Sequence, residues 1–176
     1  MDFAVVLKAV DELANKHDLR YALVGGLGLA AYGIVRMTLD IDFIVERAAQ
    51  DVVVEQIEQL GFETLYRSEG YSNHVHENPQ WGRVDFVYVD GKTADQIFAG
   101  AKVFEGPQGL PILVPRAEHL IAMKVLAIKN DASRTLQELA DIGALITTGG
   151  LDMNEIRQYF VLHGLEEKLE EIIRTL

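Results

Sequence analysis

The chain of 176 residues suits one domain or one domain with a small helical appendage, and a chain of this size buries roughly 70% of the surface it would expose unfolded. With no cysteine, disulfides, thiolate metal sites and cysteine nucleophiles are excluded. The formal net charge of −11 argues against binding along a nucleic-acid backbone, which needs a basic surface, but leaves room for a mononucleotide or a nucleic-acid end where a few groups and a metal ion set the local field.

The N-terminal segment, with Asp2, Phe3 and Lys8, has neither a basic leader nor a long apolar run, so it does not read as a signal peptide. No stretch approaches the ~20 apolar residues of a membrane span, and a soluble cytoplasmic protein is the expectation. Residues 3–17 place Val6, Leu7, Val10, Leu13 and Ala14 at helical spacing. Residues 19–24 then read as a short strand closed by Gly25 and Gly26, and residues 27–34 as a short buried helix that Gly33 helps to end. In residues 39–45 carboxylate and apolar side chains alternate, which predicts a strand. Residues 48–60 predict a helix with Val52, Val53, Ile57 and Leu60 inward and Gly61 at its stop.

Strands are predicted at 62–67, 72–76 and 82–89, a short helix near 93–100, and two short strands within 102–113. Pro115 precedes a helical run at 116–129, followed by helices at 133–147, 152–160 and 164–175. The last of these carries Leu165, Leu169, Ile172 and Ile173 as a packed amphipathic face. The first two thirds are therefore α/β and the last third helical. With no linker or repeat, a core over 1–114 and a helical region over 115–176 are expected to form a single compact unit.

Asp40 and Asp42 are the first chemical feature. Residues i and i+2 of a strand share a face, so both carboxylates point one way while Ile41 and Phe43 enter the core. Two such charges ~4 Å apart repel by roughly 4 kcal/mol at an effective dielectric of 20, so a fold that pairs them supplies a cation or raises a pKa. Oxygen-only ligands suit Mg²⁺ or Mn²⁺ rather than Zn²⁺. Alone, the pair reads as the wet face of an amphipathic strand, and a lone Gly-Gly as a tight turn. Their order changes this. Gly25 and Gly26 follow a strand and open a helix, where backbone N–H groups approach a phosphate closely; Arg36 and Thr38 lead into the acids; and Asp85 lies on a later strand. Bringing Asp85 beside Asp40 and Asp42 supplies three carboxylates for phosphoryl or nucleotidyl transfer.

The string LVGGLGLAAYGIVRMTLDIDFIV resembles the signature of the DNA polymerase beta-like nucleotidyltransferase superfamily, and its R-x-T-x-D-I-D form is similar to the minimal bacterial abortive-infection and toxin-type members. The resemblance implies an α/β (α+β) fold with a small mixed sheet and a C-terminal helical bundle closing a nucleotide cleft. It implies that Asp40, Asp42 and Asp85 bind Mg²⁺ or Mn²⁺, that Asp85 activates an acceptor hydroxyl, and that Gly25 and Gly26 hold a triphosphate, with Arg36 and Thr38 beside the acids. The segment EHLIAMKVLAIKNDASRTLQELADIGAL resembles the family's tail, in which Lys124 would reach a triphosphate oxygen and Asp141 would support it, with Glu138 and Asp131 as candidates for a further acid. The implied activity is metal-dependent transfer of a nucleoside monophosphate from a nucleoside triphosphate to an acceptor, whether an RNA end, a protein or a small molecule. The alternatives are a catalytically silent nucleotide-binding or partner-binding module, or a toxin paired with an antitoxin. His74 and His76 alternate on one side of a strand that pairs near Asp85 and read as a surface pair. Trp81, in a turn, reads as a cap on the core.

Overall fold

The computed structural model describes residues 1–176 and resolves into two compact units, one of Met1–Ala31 with Val35–Pro115 and one of Tyr32–Ile34 with Arg116–Leu176. In the first, α1 (Phe3–His17) starts where the Asp2 carboxylate accepts from the Ala4 and Val5 amides, which satisfies two otherwise orphaned donors. It buries the five residues its periodicity marked, Val6, Leu7, Val10, Leu13 and Ala14. β1 (Tyr21–Leu23) leads into α2 (Gly25–Ala30), and β2 (Asp40–Glu46) into a 3₁₀ turn and α3 (Gln50–Gln59). Strands β3 (Phe62–Arg67), β4 (Tyr71–His76) and β5 (Arg83–Val89) follow, then α4 (Gly91–Gly100) and the small hairpin of β6 (Lys102–Glu105) and β7 (Pro111–Val114).

The main sheet has the order β1-β2-β5-β4-β3 and is mixed: β2 and β5 are parallel, the other pairs antiparallel. Alternation divides β2 and β5 cleanly. Ile41, Phe43, Val84 and Phe86 are buried on one face, where Phe43 and Phe86 stack with ring centroids 5.6 Å apart. Helices α1 and α3 meet this face, tied to it by Tyr21 Oη donating to Asp11 (2.6 Å) and Thr64 Oγ1 donating to Glu58 (2.6 Å). The acids occupy the opposite face.

Two helices depart from the pattern read in the sequence. α2 begins at Gly25, not at residue 27, and ends at Ala30, so the glycine pair forms the helix's first turn rather than a turn in front of it. Glycine's poor helix propensity hid that start. α3 buries Val53, Val54 and Ile57, whereas Leu60 is its C-cap and is exposed, because the chain leaves through Gly61 at φ +96° instead of completing another turn.

His74 and His76 do not form a surface pair beside Asp85. Asn73, not His74, lies opposite Asp85, and one residue of offset sends a side chain to the other face. His74 is fully buried within a polar chain. Thr64 gives its proton to Glu58, so its oxygen accepts from His74 Nδ1 (3.0 Å); Nε2 then accepts from Ser72 (2.8 Å), whose oxygen accepts from Tyr88 (2.8 Å). Every member is satisfied with the imidazole neutral. His76 stacks on Trp81 (5.6 Å), which also meets Phe62 edge-on.

The second unit consists of α5 (Ala117–Asn130), α6 (Thr135–Thr147), α7 (Met153–His163) and α8 (Glu166–Thr175). Its core includes Leu120, Ile121, Val125, Ile142, Leu145, Ile156, Phe160, Leu169 and Ile172. Ile173, expected inside, is exposed, since α8 buries only the stripe of Leu169 and Ile172. No helix is long and apolar enough to cross a membrane.

Desolvation pulls the His74 pKa from 6.5 down to about 4. The unfolded chain therefore binds a proton between these values that the folded chain refuses, and stability falls as pH drops from about 6.5 towards 4. The expected loss from this residue is roughly 2 kcal/mol at pH 5 relative to pH 7. Urea midpoints at the two pH values should show it, with a smaller difference in His74→Gln.

Candidate active site

The parallel pairing of β2 and β5 assembles the site. In register, Asp42 lies opposite Asp85 and Asp40 opposite Arg83, so strand alternation puts all four on the same face. One oxygen from each of Asp40, Asp42 and Asp85 lies within 4.8 Å of the others. Asp85 is buried, whereas Asp40 and Asp42 are half-buried.

Local contacts fix each acid. Thr38 Oγ1 donates to Asp40 Oδ1 at 2.6 Å. The Val24 amide donates to the Asp42 carbonyl at 2.9 Å, which lays the start of α2 against β2. There the glycines are required by space. Gly25 has φ +58°, and a Cβ on it would collide with the Asp42 carboxylate; a Cβ on Gly26 would stand 2.8 Å from Thr38 Cβ. Arg36 donates to the Met37 carbonyl at 3.2 Å.

Asp85 has two partners that the sequence did not flag. Tyr71 Oη donates to its Oδ2 at 2.5 Å, and Arg83 Nε donates to its Oδ1 at 3.3 Å. Asn73 sits two residues along β4 from Tyr71 and directly across from Asp85. The Asn73 Oδ1 is buried without a hydrogen-bond partner. Burial pushes the Asp85 carboxyl above the usual carboxylate range, opposed by the Tyr71 hydrogen bond and by Arg83. Burial, reinforced by the Asp85 charge, likewise raises the Tyr71 phenol, which keeps it a donor at neutral pH. Arg83, two residues before Asp85 on a strand, carried a readable signal through period-two spacing. Tyr71 and Asn73 became visible only through the β4–β5 register.

Lys124 lies in the helical unit. Its Nζ is buried and donates to Glu138 (2.8 Å) and Asp141 (2.5 Å). Gln137 donates to the other Asp141 oxygen at 3.0 Å, and Arg134 to Glu138 at 2.5 Å. Of the two candidates for a further acid, Glu138 joins this cluster, while Asp131 caps the turn before α6 by accepting from the Ser133 amide (2.9 Å).

Solved structures share this architecture. The antibiotic-resistance factor ANT(2'')-Ia superposes with a TM-score of 0.69 at 14% identity, covering 100% of both chains; it has also been solved in complex with adenylyl-2''-tobramycin. The lincomycin-bound lincosamide antibiotic adenylyltransferase LnuA matches at TM-score 0.56 and 16% identity, over 84% of this chain and 99% of its own. An antigenic nucleotidyltransferase-like protein from Paracoccidioides brasiliensis matches at 0.59 and 16%, over 97% and 91%. The chain has a nucleotidyltransferase fold. No protein-family model matches the chain, and no curated protein matches it in sequence, so at these identities the likeness is one of fold.

The buried cluster around Lys124 has a direct energetic consequence. Lys124→Met leaves two buried carboxylates without their shared cation, and the expected cost is about 3–5 kcal/mol of stability. Denaturant unfolding at neutral pH measures it, and the triple variant Lys124→Met, Glu138→Gln, Asp141→Asn should recover part of the loss.

Proposed function

We propose that this protein is a metal-dependent nucleotidyltransferase that moves a nucleoside monophosphate from a nucleoside triphosphate to a hydroxyl of a small-molecule acceptor. The observation that carries the proposal is the convergence of three carboxylates, with ligand oxygens within 4.8 Å, on one face of a nucleotidyltransferase-fold sheet. An all-oxygen donor set of this size fits Mg²⁺ or Mn²⁺. When bound, such ions would supply Lewis-acid stabilisation of the charge that builds on the phosphate oxygens.

The chain's own residues supply the rest. Asp40 and Asp42 hold the metal ions, with Asp40 aimed by Thr38. Gly25 and Gly26, lacking side chains where the backbone packs on β2, let the start of α2 approach the triphosphate. Arg36 places a cation two residues before Thr38. Asp85, held by Tyr71 and more basic than an ordinary carboxylate, takes the acceptor's proton. The acceptor oxygen then bonds to the α-phosphorus, the bond from that phosphorus to the bridging oxygen breaks, and pyrophosphate departs with the electron pair.

The acceptor class follows from charge and from likeness. A net charge of −11 favours a neutral or cationic small molecule over RNA, and LnuA and ANT(2'')-Ia were solved with an antibiotic or an adenylylated one. Each labelled triphosphate, with Mg²⁺ and a panel of aminoglycosides and lincosamides, should give a labelled small product and pyrophosphate. Asp42→Asn should cut the rate at least 10³-fold, on the order expected for loss of a metal-bearing group. Unchanged turnover in that variant would sink the assignment. Label on RNA or protein from cell extract would favour the toxin-type reading, and binding without turnover the silent module.

A further inference from the structure

Arg83 stands among the acids yet has no place in the reaction as derived above. Its Cα lies opposite Asp40, its Nε reaches Asp85 Oδ1 at 3.3 Å, and its side chain is 45% exposed. Both oxygens of Asp85 are thereby engaged, Oδ2 by Tyr71 at 2.5 Å and Oδ1 by Arg83. Each oxygen keeps a second lone pair, so neither contact blocks a metal outright. A cation that approaches Oδ1 nevertheless meets the positive guanidinium beside it, and the two contacts are unequal. The Tyr71 bond is short and charge-assisted. The Arg83 contact is long, made through Nε, and half in water, the type of ion pair that contributes little.

We propose that Arg83 is an exchangeable counter-ion. It neutralises Asp85 while the acids hold no metal, yields Oδ1 when a divalent cation enters, and turns its guanidinium to the polyphosphate of the nucleoside triphosphate that arrives with the metal. Tyr71 stays in place and keeps Asp85 aimed. The proposal rests on the metal-and-triphosphate reading of the acids. Charge bookkeeping supports it. Three carboxylates with one arginine carry a local charge of about −2, and adding two divalent cations turns that local balance positive, so the guanidinium is then repelled from the acids and drawn to the anionic nucleotide. A planar guanidinium suits phosphate oxygens as well as a carboxylate, so one side chain serves both states.

The exchange predicts effects of opposite sign from one substitution. In Arg83→Gln, Mn²⁺ without nucleotide, followed through the electron paramagnetic resonance signal of the free ion, should bind several-fold more tightly than in the unsubstituted protein. Mg²⁺ with a non-hydrolysable ATP analogue, followed by calorimetry, should bind several-fold more weakly. Arg83→Lys should fall between on both measures. Tyr71→Phe should not tighten Mn²⁺ binding, because it loosens Asp85 without removing a positive charge from the site. Weaker or unchanged Mn²⁺ binding in Arg83→Gln would overturn the exchange while leaving the metal site standing. If the unsubstituted protein binds no Mn²⁺, the metal reading itself fails, and the exchange fails with it.

Discussion

Three carboxylates converge within 4.8 Å because β2 and β5 run parallel and in register, and much of the first unit is organised around that fact. At such separations each pair of charges repels by about 3–4 kcal/mol at an effective dielectric of 20. A fold tolerates this only by distributing compensation. Thr38 binds Asp40, Tyr71 and Arg83 bind Asp85, and burial raises the Asp85 pKa. The glycine pair belongs to the same economy of space, since any side chain at Gly25 would occupy the position of the Asp42 carboxylate.

The two faces of the sheet solve opposite problems. On the helix-covered face, the buried polar chain from Tyr88 through Ser72, His74 and Thr64 to Glu58 has all its members satisfied. On the acid face, Asn73 keeps a buried carbonyl oxygen without a partner. A satisfied network stiffens a core, whereas an unmatched buried group costs stability. The helical unit repeats the first solution with charges: buried Lys124, Glu138 and Asp141 pair with one another, and Arg134 reaches Glu138 from the surface. The lysine that the tail resemblance marked thus has a structural duty, holding two buried carboxylates.

Much of this was legible in the amino-acid order. The α1 stripe, the strand alternation of β2 and the progression from glycine pair to Asp40 and Asp42 are local patterns, and local patterns survive translation into structure because backbone geometry fixes side-chain direction. Misreadings clustered where geometry was set by something distant. Gly25 and Gly26 start a helix that propensity disfavours, since the carboxylate and threonine of another segment take the place of their side chains. His74 and His76 share a face as their spacing demanded, but which face depended on the β4–β5 register.

The sequence by itself determined the element order, the mixed α/β character followed by helices, and the three acids as a candidate metal set, because each of these rests on short-range periodicity or motif order. Only the tertiary structure decided that Asp42 and Asp85 are cross-strand neighbours, that Tyr71 and Arg83 each bind one oxygen of Asp85, and that Asn73 lies across from that acid. These depend on strand order and register, which arise from the packing of residues tens of positions apart and leave no periodic trace in the chain.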